Sequence, residues 1–466
     1  MNAPRSLTEG SISSGLFRFS LPILFANVLQ SLNGSVNSIW IGRYLGEAAL
    51  TGSSNANTVL FLLIGASLGV AMAATILVGQ CIGARDLVEA KRVVGTSATF
   101  FVSVSIVVAL IGLVFSEPLL LAMRTPAFAL PLAVAYMRVI FLALPFLLMY
   151  AFVMSVLRGA GDSKTPFYFM LLSVAIDIAL NPLFIFGLGP IPRLGIAGSA
   201  LATLLAQAIS LVALVAHLYR RRHMLVLHKD EIRHLRLDWT IVGTLVKKGI
   251  PIGGQMLVVS LSAVLMITLV NNFGVDTAAA FGAALQLWNY IQMPAFAVGM
   301  GVSAMAAQNV GARKWDRVNA VARVGVLYSM ILTGSMVLII ELLDTHAFEL
   351  FLPSGSEALK VAAHLNHIVT WSYVFFGVTM VLFGVVRATG AVMAPLFILT
   401  VALLLVRFPL AELLTSRFQV DAIWWSFPIS SALAATLAVL YYKFGGWRTA
   451  RMAGGPTRVV TPELEG

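Results

Sequence analysis

The chain has 466 residues, of which 59% are hydrophobic and only 11% charged, against about 25% charged residues in a typical soluble domain. So few charges cannot cover a water-exposed surface of this size, which excludes a soluble fold and makes the bilayer the solvent for most of the chain. The formal net charge of +11 does not indicate nucleic acid, because the basic residues lie between long apolar runs and form no basic domain. The single cysteine, Cys81, rules out a disulfide framework or a cysteine-rich metal site and is expected to pack as a small apolar residue.

The stretch from Met1 to Gly15 is polar and carries no apolar core ahead of a small-residue cleavage site, so no removable signal peptide is expected. A spanning helix needs about 20 mostly apolar residues. Twelve such segments are predicted, at 17–41, 50–79, 93–115, 131–157, 167–188, 195–219, 249–272, 279–307, 322–343, 361–386, 396–416 and 422–442. None shows the ten-residue alternation of a transmembrane barrel strand. The fold class is therefore an all-α integral membrane protein. Its predicted parts are a six-helix lobe over 1–219, a linker over 220–248, and a second six-helix lobe with a short tail over 249–466.

Basic residues set the orientation, since cytoplasmic loops collect Lys and Arg. Placing both termini and every second loop on one side gives that side 24 of the 31 Lys and Arg; the other holds Arg43, Arg124, Arg193, Lys360 and Arg417, and Arg138 and Arg407 fall inside spans. Both termini are expected in the cytoplasm. The linker opens with Arg220, Arg221 and Arg222 and reads as a solvated helix lying against anionic headgroups.

The two halves repeat at a nearly constant offset. Pro22 corresponds to Pro251. Gln80, Gly83, Ala84 and Arg85 return as Gln308, Gly311, Ala312 and Arg313, and Arg158, Gly161 and Pro166 return as Arg387, Gly390 and Pro395. Six spans per repeat bring the chain back to the same side, so the halves are parallel, an arrangement that suits binding between two lobes. The glycines of the Gln-x-x-Gly-Ala-Arg segments are expected to let the chain turn close to the bilayer surface.

Five stretches stand out: Val36 to Arg43 with Leu45-Gly46, Gly79 to Arg85, Leu157 to Pro166, Asn181 to Gly187 and Gly195 to Ala200. Taken together, in this order and spacing, they resemble the multidrug and toxin extrusion (MATE) family of the MOP flippase superfamily, bacterial type. The resemblance covers nearly the whole length. It implies two pseudo-symmetric six-helix lobes in the bacterial inner membrane, and alternating-access export of amphipathic, often cationic, drugs or toxic metabolites in exchange for inward H⁺ or Na⁺. No enzymatic activity and no cofactor beyond the coupling ion are expected. The expected partners are such small molecules and membrane lipids, not nucleic acid, and the expected form is a monomer. The chain departs from the family where an acid on span one is replaced by Asn37. On span five the usual Asn-then-Asp order is reversed to Asp177 and Asn181-Pro182, and Val259 stands where one branch carries Glu.

Asp177 is the one carboxylate placed near mid-bilayer; Glu341 and Glu412 lie closer to the outer ends of their spans. An ionisable group at that depth is costly and therefore a functional candidate; a neutral or paired structural acid is the competing reading. Asp177 and Asn181 share a helix face, and Pro182 frees the carbonyl of Ile178 and could act as a hinge. Asn27, Gln30, Asn33 and Asn37 form a polar stripe on span one. If it faces Asp177 the lobe gains a wet cavity with oxygen ligands for a proton or Na⁺; interhelical hydrogen-bonding is the alternative. The candidate coupling residues are thus Asp177, Asn181 and Asn37. Gln30 and Asn33, with Gln255, Gln286, Asn289, Tyr290 and Trp371 in the second half, are candidate cavity residues, each weighed against ordinary packing or interfacial anchoring. Arg407 is expected to be structural, pairing with carbonyls or Glu412. His364 and His367 resemble a metal pair, but a third ligand is missing and interfacial placement is preferred, so no metal site is expected. A lipid-linked oligosaccharide flippase is the alternative function. A membrane-embedded enzyme is disfavoured because no Asp-x-x-Asp, His-Glu-x-x-His or Gly-rich phosphate loop is found.

Overall fold

A computed structural model describes residues 7–187, 192–343 and 345–452; the end of the predicted fifth span at residue 188 lies outside them. Long apolar runs satisfy their own backbone as helices, as a bilayer demands. In chain order these are α1 (Ile12–Leu45), α2 (Glu47–Gly83), α3 (Leu87–Ala122), α4 (Leu130–Gly159), α5 (Lys164–Phe186), α6 (Ile196–Arg220), α7 (Trp239–Asn271), α8 (Val275–Gly311), α9 (Trp315–Leu343), the short α10 (Thr345–Phe348), α11 (Glu357–Val369), α12 (Ser372–Arg387), α13 (Met393–Leu399), α14 (Phe408–Phe418) and α15 (Asp421–Phe444). Among the described residues eleven helical stretches are long and apolar enough to cross a membrane, counting Met393–Phe418 as one. A twelfth span forms if α11 and α12, bent by 46° at their break, are taken together. The helices covering the predicted tenth span are thus bent at this break. The eleventh contains a π-helical segment, Thr400–Arg407, that no apolar periodicity revealed.

The chain divides into two compact units, residues up to Leu24 with Ile250–Met452, and Phe25–Gly249. This differs from the expected lobes of 1–219 and 249–466, and the cause is local. The Leu7 amide donates to Gln308 Oε1 at 3.0 Å, and Asn309 Nδ2 donates to the Leu7 carbonyl at 3.2 Å. Lys314 and Arg317 donate to the carbonyls of Thr8 and Gly10. The second copy of the repeated motif thereby clamps the start of the chain, and Leu16 is fully buried.

The linker differs from its expected form too. α7 begins ten residues earlier than the predicted span, and the only helix between α6 and α7 is a 3-10 turn over Lys229–Leu235. That turn docks on α3. Lys91 Nζ pairs with Glu231 at 2.7 Å, Arg92 pairs with Asp238, and Thr99 Oγ1 donates to the Leu235 carbonyl at 2.7 Å. Gly95 permits the approach, since a Cβ there would strike the His234 backbone. The His228 amide and Lys91 hold the Glu231 carboxyl below its ordinary range. Burial pushes Asp238 up, but the Thr240 and Ile241 amides and Arg92 outweigh it and leave it lowered.

The repeat is visible in the backbone. After α2, Ala84 and Asp86 donate to the carbonyls of Gln80 and Cys81, each at 2.9 Å; after α8, Ala312 and Lys314 donate to Gln308 and Asn309, also at 2.9 Å. Arg85 and Arg313 both take φ 58°. The left-handed residue of each turn is therefore the arginine, not the glycine expected to provide the freedom. The glycines Gly161 and Gly390 do adopt positive φ, at 91° and 98°. Within the unit of residues 25–249, α4 crosses α2 closely enough that a Cβ on Gly159 would lie 2.5 Å from the Thr75 carbonyl oxygen, the small-residue contact that membrane helices favour.

Candidate functional site

Three helices of the Phe25–Gly249 unit meet around one carboxylate. Asp177 on α5 is 2% exposed and Asn181, one turn on, is fully buried. From α1, Asn33 Nδ2 and Asn37 Nδ2 donate to Asp177 Oδ2 at 2.8 and 2.9 Å. From α6, Thr203 Oγ1 donates to Oδ1 at 3.1 Å. Asn181 Nδ2 donates to Oδ1 at 3.3 Å and to Asn37 Oδ1 at 2.9 Å, closing the ring. Helical spacing explains the convergence: Asn33 and Asn37 are four apart on α1, as Asp177 and Asn181 are on α5, so each pair presents one face.

The electrostatics are unusual for so buried an acid. Asp177 is held by four neutral donors and by no cation among the described residues. Two amide oxygens beside it, Oδ1 of Asn33 and Oδ1 of Asn181, are buried and accept no hydrogen bond among the described residues. The arrangement offers carboxylate and amide oxygens together, with a single group able to take up a proton.

The structure therefore brings Asp177, Asn181, Asn37 and Asn33 together. Gln30, one turn earlier, is exposed on α1 and does not join them. α5 runs unbroken through Pro182 and ends at Phe186, capped by Gly187 in the left-handed conformation; Pro182 thus lies in the last turn rather than at a break. Thr203 was missed by the sequence reading. Its signal was a second polar stripe, Ser199, Thr203 and Gln207, at four-residue spacing on the otherwise apolar α6.

The Ile250–Met452 unit is built differently. Gln255 is buried, donates to the Pro251 carbonyl at 3.3 Å and accepts from Arg387 Nη1 at 3.2 Å, so it is engaged within the packing. Gln286 and Asn289 are exposed on α8 and Tyr290 is half-buried; Trp371 is 46% exposed at the break between α11 and α12. Gln286, Asn289 and Tyr290 share a face by spacing, and no mutual hydrogen bond joins these four among the described residues. Arg407, expected to pair with carbonyls or Glu412, turns elsewhere: its Nε and Nη2 donate to the hydroxyls of Ser430 and Ser431 at 2.7 and 3.3 Å, and its guanidinium lies 4.4 Å over the Phe427 ring. His364 and His367 bind separate carboxylates, Asp421 at 2.9 Å and Glu341 at 2.5 Å. No cluster of three metal-ligating side chains occurs among the described residues.

Comparison with known proteins fits this architecture. The MatE family profile matches residues 22–183 and 251–413, two stretches that coincide with the internal repeat. The chain is 36% identical over 439 residues to the probable multidrug resistance protein YoeA of Bacillus subtilis, covering 94% of this chain and 95% of that protein. It is 31% identical to the probable multidrug resistance protein YpnP of the same organism, covering 96% and 98%. Among solved structures, an outward-facing multidrug resistance MATE transporter of the MOP superfamily superposes with a TM-score of 0.87 at 19% identity, over 95% of this chain and 97% of that one. The chain thus belongs to the MatE family and is a multi-pass membrane transporter with the MATE fold, not an enzyme.

Proposed function

We propose that this protein is a secondary antiporter of the bacterial inner membrane that exports amphipathic, often cationic, compounds in exchange for H⁺ or Na⁺. Its relatives named as multidrug resistance proteins support the cargo class. The observation that carries the coupling is Asp177, a buried carboxylate with four neutral donors and no cation among the described residues. A carboxylate left in this state at membrane depth is costly, so uptake of one proton or one Na⁺ changes its energy substantially. Asn37 and Asn181 are its coupling partners in this scheme, with Asn33 and Thr203 completing the site. The ion binds from outside and neutralises Asp177. The stripe holding Gln30 and the exposed face of Gln286, Asn289 and Tyr290, with Trp371, then contact cargo during alternating access. Only a difference in ion affinity between the two access states can drive this cycle. The Lys and Arg imbalance supports cytoplasmic termini. The working unit is a monomer.

The test is export of a fluorescent amphipathic cation from proteoliposomes under a pH gradient and a Na⁺ gradient, imposed separately. One of the two drives export on this account. Export driven by neither would overturn the antiporter reading.

A further inference from the structure

At the end of α5 and α6 that leads into the linker, the two helices enclose a groove of about 650 Å³ lined by Phe169, Ala213, Ala216, His217, Arg220 and Arg221. Its chemistry is divided along its length. Phe169 packs on the buried cluster around Tyr150, Met154, Leu157 and Leu214, and its ring meets His217 edge-on at 5.3 Å. Along the same helix, deeper in the bilayer, Ile209 and Val212 are 46% and 66% exposed. Above this apolar floor stand the guanidiniums of Arg220 and Arg221, both exposed. Neither has a hydrogen-bond or ion-pair partner among the described residues. The contrast with Lys91 and Arg92 of the same unit is direct, since both of those are paired with acids.

We propose that this groove is a binding site for an anionic phospholipid, its phosphate held by Arg220 and Arg221 and an acyl chain lying along Ala213, Ala216 and Phe169. Planar guanidinium groups recognise phosphate oxygens bidentately, and basic pockets between transmembrane helices at the headgroup level suit anionic lipids. An apolar floor continuous with a lipid-exposed helix face gives no benefit to a soluble anion and accommodates a chain. The groove bridges the two helices that are joined at depth by the Thr203–Asp177 hydrogen bond. A bound lipid therefore ties together the ends of the helices that carry this carboxylate. The inference rests on the membrane setting and the groove, not on the coupling role of Asp177.

The experiment is native mass spectrometry of the full chain in neutral detergent, titrated with dioleoyl-phosphatidylglycerol or with dioleoyl-phosphatidylcholine. Phosphatidylglycerol is expected to bind the native protein more tightly than phosphatidylcholine does. Arg220→Gln/Arg221→Gln should weaken phosphatidylglycerol binding about 30-fold and leave phosphatidylcholine binding unchanged. Arg220→Lys/Arg221→Lys should retain a substantial part of the preference. Millimolar inorganic phosphate should not displace the lipid. Equal thermal unfolding midpoints in lipid-free detergent establish that the variants fold. Unchanged phosphatidylglycerol binding in the Gln variant would overturn the proposal. An equal loss on Arg233→Gln/Arg236→Gln would do the same, by showing that general surface charge is responsible. Displacement by inorganic phosphate would assign the arginines to a soluble anion instead.

Discussion

The two units share a repeated backbone but differ in buried charge, since among the described residues only the Phe25–Gly249 unit buries carboxylates. In the Phe25–Gly249 unit the central ionisable group is an acid, Asp177, held by three amides and a hydroxyl. The Ile250–Met452 unit buries no carboxylate among its described residues; its interior cations are Arg387, the repeat counterpart of Arg158, and the half-buried Arg407. Arg387 donates to Gln255 and to the Phe383 carbonyl, and Arg407 donates to two serine hydroxyls beneath an aromatic face. Neither arginine has a carboxylate partner among the described residues. Duplication has kept the turns, down to Arg85 and Arg313 at the same φ of 58°, while the interior polarity has diverged. Backbone geometry is constrained by the bilayer in both halves, whereas the sign of a buried charge is free to follow its task. The acid is reversible, because a proton or metal cation can neutralise it. An arginine keeps its charge at any working pH, so the arginines suit permanent anchoring.

Breaking the acid end should have the largest effect. Asn33→Leu/Asn37→Leu removes both donors to Asp177 Oδ2. At about 1.5 kcal/mol or more for each hydrogen bond to a charged group, gradient-driven export in proteoliposomes should fall about 100-fold. Breaking the base end should look different in kind. Arg387→Met strips a donor from buried Gln255 and should cost about 1–3 kcal/mol of stability, read as a lowered thermal unfolding midpoint, while the protein that remains folded keeps the same ion dependence of export. Thr203→Val sharpens the acid end with a single donor, and should lower gradient-driven export by about tenfold, less than the loss of the two amides. The smallest effect belongs to the linker. Glu231 is held below its ordinary value, so its contribution is fully present at neutral pH and is lost only as pH falls through that depressed value. Hydrogen exchange over 229–235 should accelerate below the ordinary carboxylate range and stay flat above it, and Lys91→Gln should raise it at neutral pH without altering export.

Much of this was legible in the sequence because the bilayer imposes simple rules. Apolar length identified the spans, and spacing put Asn33 and Asn37, and Asp177 and Asn181, on shared faces. What escaped depends on tertiary contacts. Thr203 belongs to a short polar stripe on α6 with Ser199 and Gln207, and only the packing of α6 against α5 makes it a donor to Asp177. The capture of Leu7 by Gln308 and Asn309 joins distant parts of the chain, and no local pattern encodes it. Arg407 lies in a π-helical segment, where the shift in register turns its side chain toward Ser430 and away from Glu412, just over a turn further on. Gln255 reads as a free polar group until the buried Arg387 is placed beside it.

The most direct test of Asp177 as the coupling carboxylate compares the native protein with Asp177→Asn in two assays on the same proteoliposomes. The first is exchange of labelled for unlabelled cargo without any ion gradient; the second is accumulation driven by the effective gradient. Asn preserves the size of the side chain and removes its charge. The account predicts that exchange survives in the variant while the gradient no longer drives accumulation. Accumulation at the native rate under the same gradient would contradict it and remove Asp177 from the coupling mechanism.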